Sequence, residues 1–407
     1  MVRLFLVLLL SFAFSSYAKT PISAGFIENH QSKVLGEKRR FMVDLPENYY
    51  ENEQSYPTLY VIDADFQFHH VSAVTKNLAR MGKIPPMIVI GIANQGNADY
   101  LYQTTWIVEG EEGFGGADNF YRYISDELVP TVDKQFRTNE NRVLAGYSLG
   151  GLFTTYAMIQ ENTPFNAFLA MSPSYWFDDY SAVESISKYV EQKGAKGSLP
   201  PLFLSVANEQ GMGVAKLDKS LQKLAIKDWQ YSFKTYPNEN HFSTALPAFH
   251  DALGFLFTDF YEDGYEMLEH KNVFDLIEVF KAKKANYNGF NIEWLQAYKF
   301  AKYVFHSKQT DKIDEILAAM NKHFPDSMVN VTSYLAKGFN VKEQHETAKR
   351  ILEAVRSEGK NIALWHHQYS LALAGLGQTE LAEKSQAKAM VLAKEHKLPM
   401  WQVWEMK

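Results

Sequence analysis

Arg142-Val143-Leu144-Ala145-Gly146-Tyr147-Ser148-Leu149-Gly150-Gly151 decides how the rest of the chain is read. An apolar run ends in Gly-x-Ser-x-Gly, and Leu152-Phe153-Thr154-Thr155-Tyr156-Ala157-Met158 follows with a helical look. Strand, tight turn and helix form the setting in which a nucleophilic serine sits at the tip of a sharp elbow. Gly146 and Gly150 carry no Cβ, so strand and helix can approach closely. Ser148 then projects from the turn, and the N–H of Leu149 points to where an oxyanion would form. The helix N-terminus behind it favours that negative charge. Glycine makes up roughly 7% of ordinary sequences, so the motif alone is weak. The strand before it, the helix after it and the further glycine at position 151 give it weight.

Outward from the elbow, the apolar runs 56–63 and 87–92 hardly alternate, the pattern of strands buried on both faces. Residues 41–46 read as an earlier strand. Residues 118–135 form an amphipathic helix, with Phe120, Ile124, Leu128 and Val132 at helical spacing. Residues 167–171 and 202–206 are two more buried-type strands, and 230–236 alternates like a last one. Apolar strands separated by helical segments predict an α/β fold, a mostly parallel central sheet covered on both faces. Functional groups in such sheets gather at the carboxyl ends of the strands. Asp65, Ser148, Ser172 and Glu209 each stand just past such an end.

Serine is a poor nucleophile at neutral pH and needs a base. The chain order expected of this architecture is nucleophile, acid, then histidine. Pro237-Asn238-Glu239-Asn240-His241 follows the last strand, which puts His241 where the base belongs; most of the 12 histidines have no such placement. Glu209, just past strand 202–206, is positioned to hold the imidazole tautomer and stabilise the imidazolium. Asp218, further on and helical, and Glu239, close to His241, are alternatives. A Ser148–His241 pair without a firm acid is another.

The chain has 407 residues, with 41 basic and 47 acidic side chains and a net charge of −6, which gives no electrostatic footprint for nucleic acid. It has no cysteine, which excludes disulfides, thiolate metal sites and cysteine nucleophiles. Residues 1–18 read as a secretory signal peptide: Arg3 supplies the positive start, Leu4 to Phe14 the apolar stretch, and Ser16-Tyr17-Ala18 the small residues of a cleavage site. Cleavage after Ala18 would deliver the protein to a periplasm or outside the cell. The apolar stretch is too short to span a bilayer, and no other segment could.

From about Phe274 the strand-like runs stop and helical segments take over. Ala301 recurs as Ala336, Ile313 as Ala348 and Ala348 as Ala382, at a spacing near that of tetratricopeptide-like helix hairpins, roughly 34 residues. A plain helical bundle with chance alanines is the alternative. The expected division is 19–265 for the sheet domain and 266–407 for an all-α, helical-repeat-like domain. That tail is expected to shape access to the site, or to dock a protein partner or a second copy of the chain. Its apolar end, residues 398–404, must pack on something.

The motifs taken together resemble the esterase family of α/β-hydrolases to which esterase D and the siderophore (enterobactin-type) esterases belong. The matching stretches are Gly36-Glu37-Lys38-Arg39-Arg40, Leu45-Pro46-Glu47-Asn48-Tyr49, 56–63, Glu127-Leu128-Val129-Pro130, the elbow, Ser172-Pro173-Ser174-Tyr175-Trp176 and Asn240-His241. They cover about residues 25–260 in the family's order. The resemblance implies a serine esterase with no cofactor or metal and a small-molecule ester substrate, siderophore-type or feruloyl-type. An acyltransferase on the same three residues and an inert scaffold are the alternatives. It implies the backbone N–H of Asp65 as second oxyanion donor, although family members usually carry glycine where Ala64 stands. Siderophore-esterase-like relatives often place an arginine shortly after the Gly91-Ile92-Ala93-Asn94 stretch, and none stands there. Phe66, Trp106, Tyr147 and Trp176 are candidate pocket walls.

Overall fold

The computed structural model describes residues 24–197, 199–260, 263–287 and 290–407. The signal peptide expected over 1–18 lies outside the described residues. Eight strands form one sheet in the order β1-β2-β4-β3-β5-β6-β7-β8. They are β1 (Phe26–Gln31), β2 (Lys38–Asp44), β3 (Tyr56–Ile62), β4 (Ile88–Ile92), β5 (Thr138–Tyr147), β6 (Ala167–Met171), β7 (Leu202–Ala207) and β8 (Tyr231–Tyr236). From β3 to β8 the pairs are parallel, while β1 and β2 add an antiparallel edge. Every residue of β3, β4, β6 and β7 is buried, as their near-continuous apolar runs require. In register, Ala145 pairs with Leu169 and Met171 with Ser205, so the strand ends fall level.

One core packs the helix Leu149–Met158 and the 117–132 segment on one face, through Phe120, Leu128, Leu152 and Phe153. The other packs the helices Ala64–Arg80 and Ala245–Leu256, through Phe68, Val71, Phe249 and Leu253. Gly91 allows the first of these to lie close, since a Cβ there would meet Phe68 Cδ2 at 2.7 Å and Ala64 Cβ at 2.8 Å. The helix expected over 118–135 is present with a wider π turn, Tyr123–Leu128, inside it. Pro130 explains this: it has no N–H to give and its ring displaces the carbonyl one turn back, so the ladder widens there.

From Gly264 onward the described residues are helical, with a core of their own that includes Phe280, Phe300, Ile316, Leu335 and Ile351. Ala301, Ala336, Ala348 and Ala382 are all buried in it or beside it. Among the described residues no helix is long and apolar enough to cross a membrane.

The helical region docks on the amino ends of the parallel strands. The loop between β2 and β3 reaches into it: Glu51 Oε1 accepts the Ala363 N–H at 3.1 Å, and Gln402 Nε2 donates to Asn48 Oδ1 at 3.1 Å. Pro57, Asn166 and Pro201, at the starts of three strands, and Asn141 in the first half of β5 line a further cavity with Tyr287 and Phe290. Ser148 lies past the opposite end of β5, so these contacts place the tail away from the elbow rather than over it. The apolar end packs within the chain: the Trp401 ring lies 4.9 Å from that of Trp294, and Leu398 and Met406 are buried.

Candidate active site

Ser148 stands between β5 and the helix Leu149–Met158 with φ 58° and ψ −124°. This conformation is costly for a residue with a Cβ and persists only where neighbours over-determine it. They do so here. The Ser148 N–H donates to the Met171 carbonyl at 3.0 Å, and the Ser148 carbonyl accepts the Leu152 N–H at 3.0 Å and the Ser174 N–H at 3.1 Å. A Cβ at Gly146 would stand 2.1 Å from the Gly150 carbonyl oxygen, so only glycine fits one turn ahead of the serine.

Tyr100 clamps the two arms of this elbow. Its hydroxyl donates to the Tyr147 carbonyl at 3.1 Å and accepts the Gly150 N–H at 2.8 Å, with the Leu149 amide also facing that oxygen. Burial pushes the phenol well above its ordinary pKa, so it stays a neutral hydroxyl. Its neighbour Asp99 is held by the buried Arg39, whose Nη2 lies 2.8 Å from Asp99 Oδ1. Burial alone would raise the Asp99 carboxyl, but the Arg39 and Gln95 hydrogen bonds pull it below the usual range.

Ser148, Glu209 and His241 come together. His241 Nε2 lies 3.0 Å from Ser148 Oγ, and His241 Nδ1 bonds Glu209 Oε1. A carboxylate accepts, so Nδ1 carries the proton and Nε2 turns its lone pair to the serine hydroxyl. The second carboxylate oxygen is held by the Ser172 hydroxyl at 3.1 Å and the Ala207 N–H at 2.9 Å. Asp218 is engaged elsewhere, accepting the Tyr231 hydroxyl at 2.7 Å and Gln222 Nε2 at 2.8 Å. Glu239 meets the Asn208 N–H through its backbone carbonyl at 3.1 Å. Ser148 Oγ has a second neighbour, Ser174 Oγ, at 3.3 Å.

Leu149 opens the elbow helix, and Asp65 lies in the first turn of the helix that follows β3. The left-handed turn between β3 and that helix falls on Asp63, at φ 64°, which is why alanine serves at position 64. Burial pushes the Asp63 carboxyl up to about 6. The Tyr147 ring lies 5.0 Å from the His241 ring. Phe66 is 80% exposed, Trp176 48% and Phe242 95%, so the carboxyl end of the sheet carries exposed apolar rings. Trp106 faces another cavity: its indole N–H donates to Asp178 Oδ2 at 2.7 Å and its ring stacks on Tyr156. Among the described residues no group of three or more His, Asp or Glu side chains is arranged to hold a metal ion.

Comparison with known proteins agrees with the fold. Residues 32–210 match the family model described as "Putative esterase". The match covers a little under half of the chain, within the part that builds the sheet. Ser148 and Glu209 lie inside the matched residues and His241 beyond them. The chain is 25% identical over 195 residues to YbbA of Bacillus subtilis, covering 46% of this chain and 74% of YbbA. It is 26% identical over 144 residues to the ferri-bacillibactin esterase BesA of the same organism, covering 30% of this chain and 49% of BesA, about half its length. An IroE-like serine hydrolase from Shewanella oneidensis superposes with a TM-score of 0.60 at 26% identity, covering 72% of this chain and 98% of its own.

Four side chains of the sheet domain make contacts that the sequence did not assign, although Ser172 stands among the groups just past a strand end. Ser172 holds the acid, Ser174 touches the nucleophile, and Tyr100 clamps the elbow. Arg40 Nη2 lies 3.3 Å from both carboxylate oxygens of Asp65. The quoted Ser172-Pro173-Ser174 stretch was the available signal for the first two. For Arg40 the signal was only its place in a stretch already singled out, and Tyr100 had none, because their contacts run between elements distant in sequence.

Proposed function

We propose that the protein is a serine carboxylic-ester hydrolase that works through an acyl-enzyme on Ser148. One observation carries this reading: Ser148 Oγ stands 3.0 Å from His241 Nε2 while Glu209 holds the other ring nitrogen. In the first step Ser148 Oγ attacks the ester carbonyl carbon and its proton passes to His241 Nε2. The carbonyl π electrons move onto oxygen, and the amides of Leu149 and Asp65 receive that charge. Collapse of the tetrahedral species breaks the bond to the alcohol oxygen, which leaves with the proton from His241. Water then repeats the sequence on the acyl-enzyme, and the acid departs. Glu209 stays ionised throughout and stabilises the imidazolium.

The substrate we favour is a bulky siderophore-type or feruloyl-type ester. BesA supports the first by similarity, and the exposed rings of Phe66, Trp176 and Phe242 suit an aromatic acyl group. Arg40, 46% exposed beside Asp65, supplies the cation that the stretch after Asn94 lacks. We read residues 1–18 as an export signal, so the N-terminus of the protein recovered from cells should begin near Lys19.

The deciding experiment is turnover of short p-nitrophenyl esters, feruloyl esters and catecholate trilactones by one purified sample, with and without added alcohol. Hydrolysis supports the proposal. Products formed only with an alcohol acceptor would make the protein an acyltransferase, and no turnover of any ester would leave a binding protein.

A further inference from the structure

We propose that the cavity where the β2–β3 loop meets the helical region binds a small primary-amine cation. The cavity holds about 210 Å³, is partly open to solvent, and has Glu51, Tyr334, His367 and Trp401 in its lining. A dry cavity of roughly 150 Å³ accepts benzene, so the space suits a molecule of a few carbons and one polar head rather than a folded partner.

Donors and acceptors both line it, and the acceptors include the Glu51 and Glu405 carboxylates and His367. Glu51 Oε1 takes the Ala363 N–H, and the carboxylate has no basic partner among the described residues. Burial pushes this carboxyl up to about 7, the behaviour of an acid enclosed without a counter-charge. Gln386 fixes the tautomer of His367. Its Nε2 donates to the Met406 carbonyl, so its Oε1 accepts from His367 Nδ1 at 2.9 Å. His367 Nε2 is thereby a bare acceptor on the opposite edge of the ring. Burial also holds this histidine below its ordinary pKa, so it is neutral and adds no charge.

Lys337 also lines the cavity, and its ammonium lies 3.1 Å from Glu405 Oε2. That leaves the Glu51 charge unmatched. Two ring pairs complete the wall: Trp294 with Trp401, centroids 4.9 Å apart, and Tyr298 with Tyr334, 6.0 Å apart. Burial pushes the Tyr334 phenol up, and Glu51 and Glu405 add to it, which sets this ring beside both carboxylates. Aromatic faces next to carboxylates attract a cation, and hydrogen-bond acceptors select one that carries N–H groups.

The test titrates the full-length protein with butylammonium chloride, tetramethylammonium chloride and butan-1-ol at fixed ionic strength, followed by calorimetry. Saturable binding of butylammonium is expected, with tetramethylammonium at least tenfold weaker and butanol weaker still. Glu51→Gln keeps the acceptor for Ala363 and should weaken butylammonium at least tenfold without moving ester turnover. Lys337→Met frees Glu405 and should tighten it, a change of opposite sign that misfolding does not produce. Absence of saturable butylammonium binding overturns the proposal. So does equal binding of butanol, or an unchanged constant in folded Glu51→Gln.

Discussion

The two halves of the molecule turn their backbones in different ways. At the carboxyl ends of β3, β5 and β6 stand Asp63, Ser148 and Ser172, with φ of 64°, 58° and 39°. In the helical half, Lys308, Glu343 and Lys397 also have positive φ, but each follows the end of a helix. There a single left-handed residue is an ordinary stop. Glycine would make either kind of turn more cheaply, and strained non-glycine residues cost on the order of 1–3 kcal/mol each. At the helix ends the side chains are solvated. At the strand ends they are a half-buried carboxyl, a hydroxyl facing His241 and a hydroxyl facing Glu209. At these three strand ends the strained residue is also the one whose polar side chain has to be presented, whereas Ala225, in the same half, is a helix stop like those of the tail.

Ser148→Ala tests that reading most severely. It keeps the backbone and removes only the hydroxyl, so kcat should fall on the order of 10⁶-fold with an unchanged fold by circular dichroism. Retained activity of more than a few per cent would move the chemistry away from the elbow.

Glu209→Gln comes next. Loss of the charge behind His241 should cost about 10²–10⁴ in kcat with KM little changed. Asp218→Asn and Glu239→Gln should be mild. A neutral Glu209→Gln would mean that the strained Ser172 secures a group the reaction does not use.

Tyr100→Phe removes the clamp and leaves the ring. Two lost hydrogen bonds, together about 1–3 kcal/mol, correspond to roughly ten- to a hundredfold in kcat, again with KM little affected. A rise in kcat would show instead that the Tyr100 oxygen competes for the Leu149 amide.

The smallest effect belongs to the other half. Glu293 lies between the helical region and the Asp44–Asn48 corner, and burial pushes its carboxyl up to about 7. A carboxyl raised in the folded state binds more protons there than when unfolded, so its penalty grows as pH rises from its unfolded value of about 4.5. The native protein should therefore melt lower at pH 8 than at pH 5 through this group. Glu293→Gln should raise the melting temperature by a few degrees at pH 8 and change it little at pH 5. Equal shifts at both pH values would remove Glu293 as the cause.

The parallel sheet was legible because burial on both faces leaves continuous apolar runs, as in 56–62 and 202–206. β1 was not, since Phe26–Gln31 lies at the edge with exposed and half-buried positions and no apolar run. Ser148, Glu209 and His241 were legible from chain order, which follows strand order in this sheet. Tyr100 was hidden because its partners lie 47 and 50 residues away. The edge on which the tail docks had no signature either. Its contacts come from Asn48 and Glu51, polar residues in a turn that reads like any solvated loop.

That docking has a consequence for traffic. β5 has ten residues, and at about 3.3 Å per residue it holds the amino edge roughly 30 Å from Ser148. An ester arriving at the elbow and anything seated on the tail approach from opposite directions, so neither crowds the other. Fixed to a support by its last helix, the enzyme should still turn its open mouth to the solution.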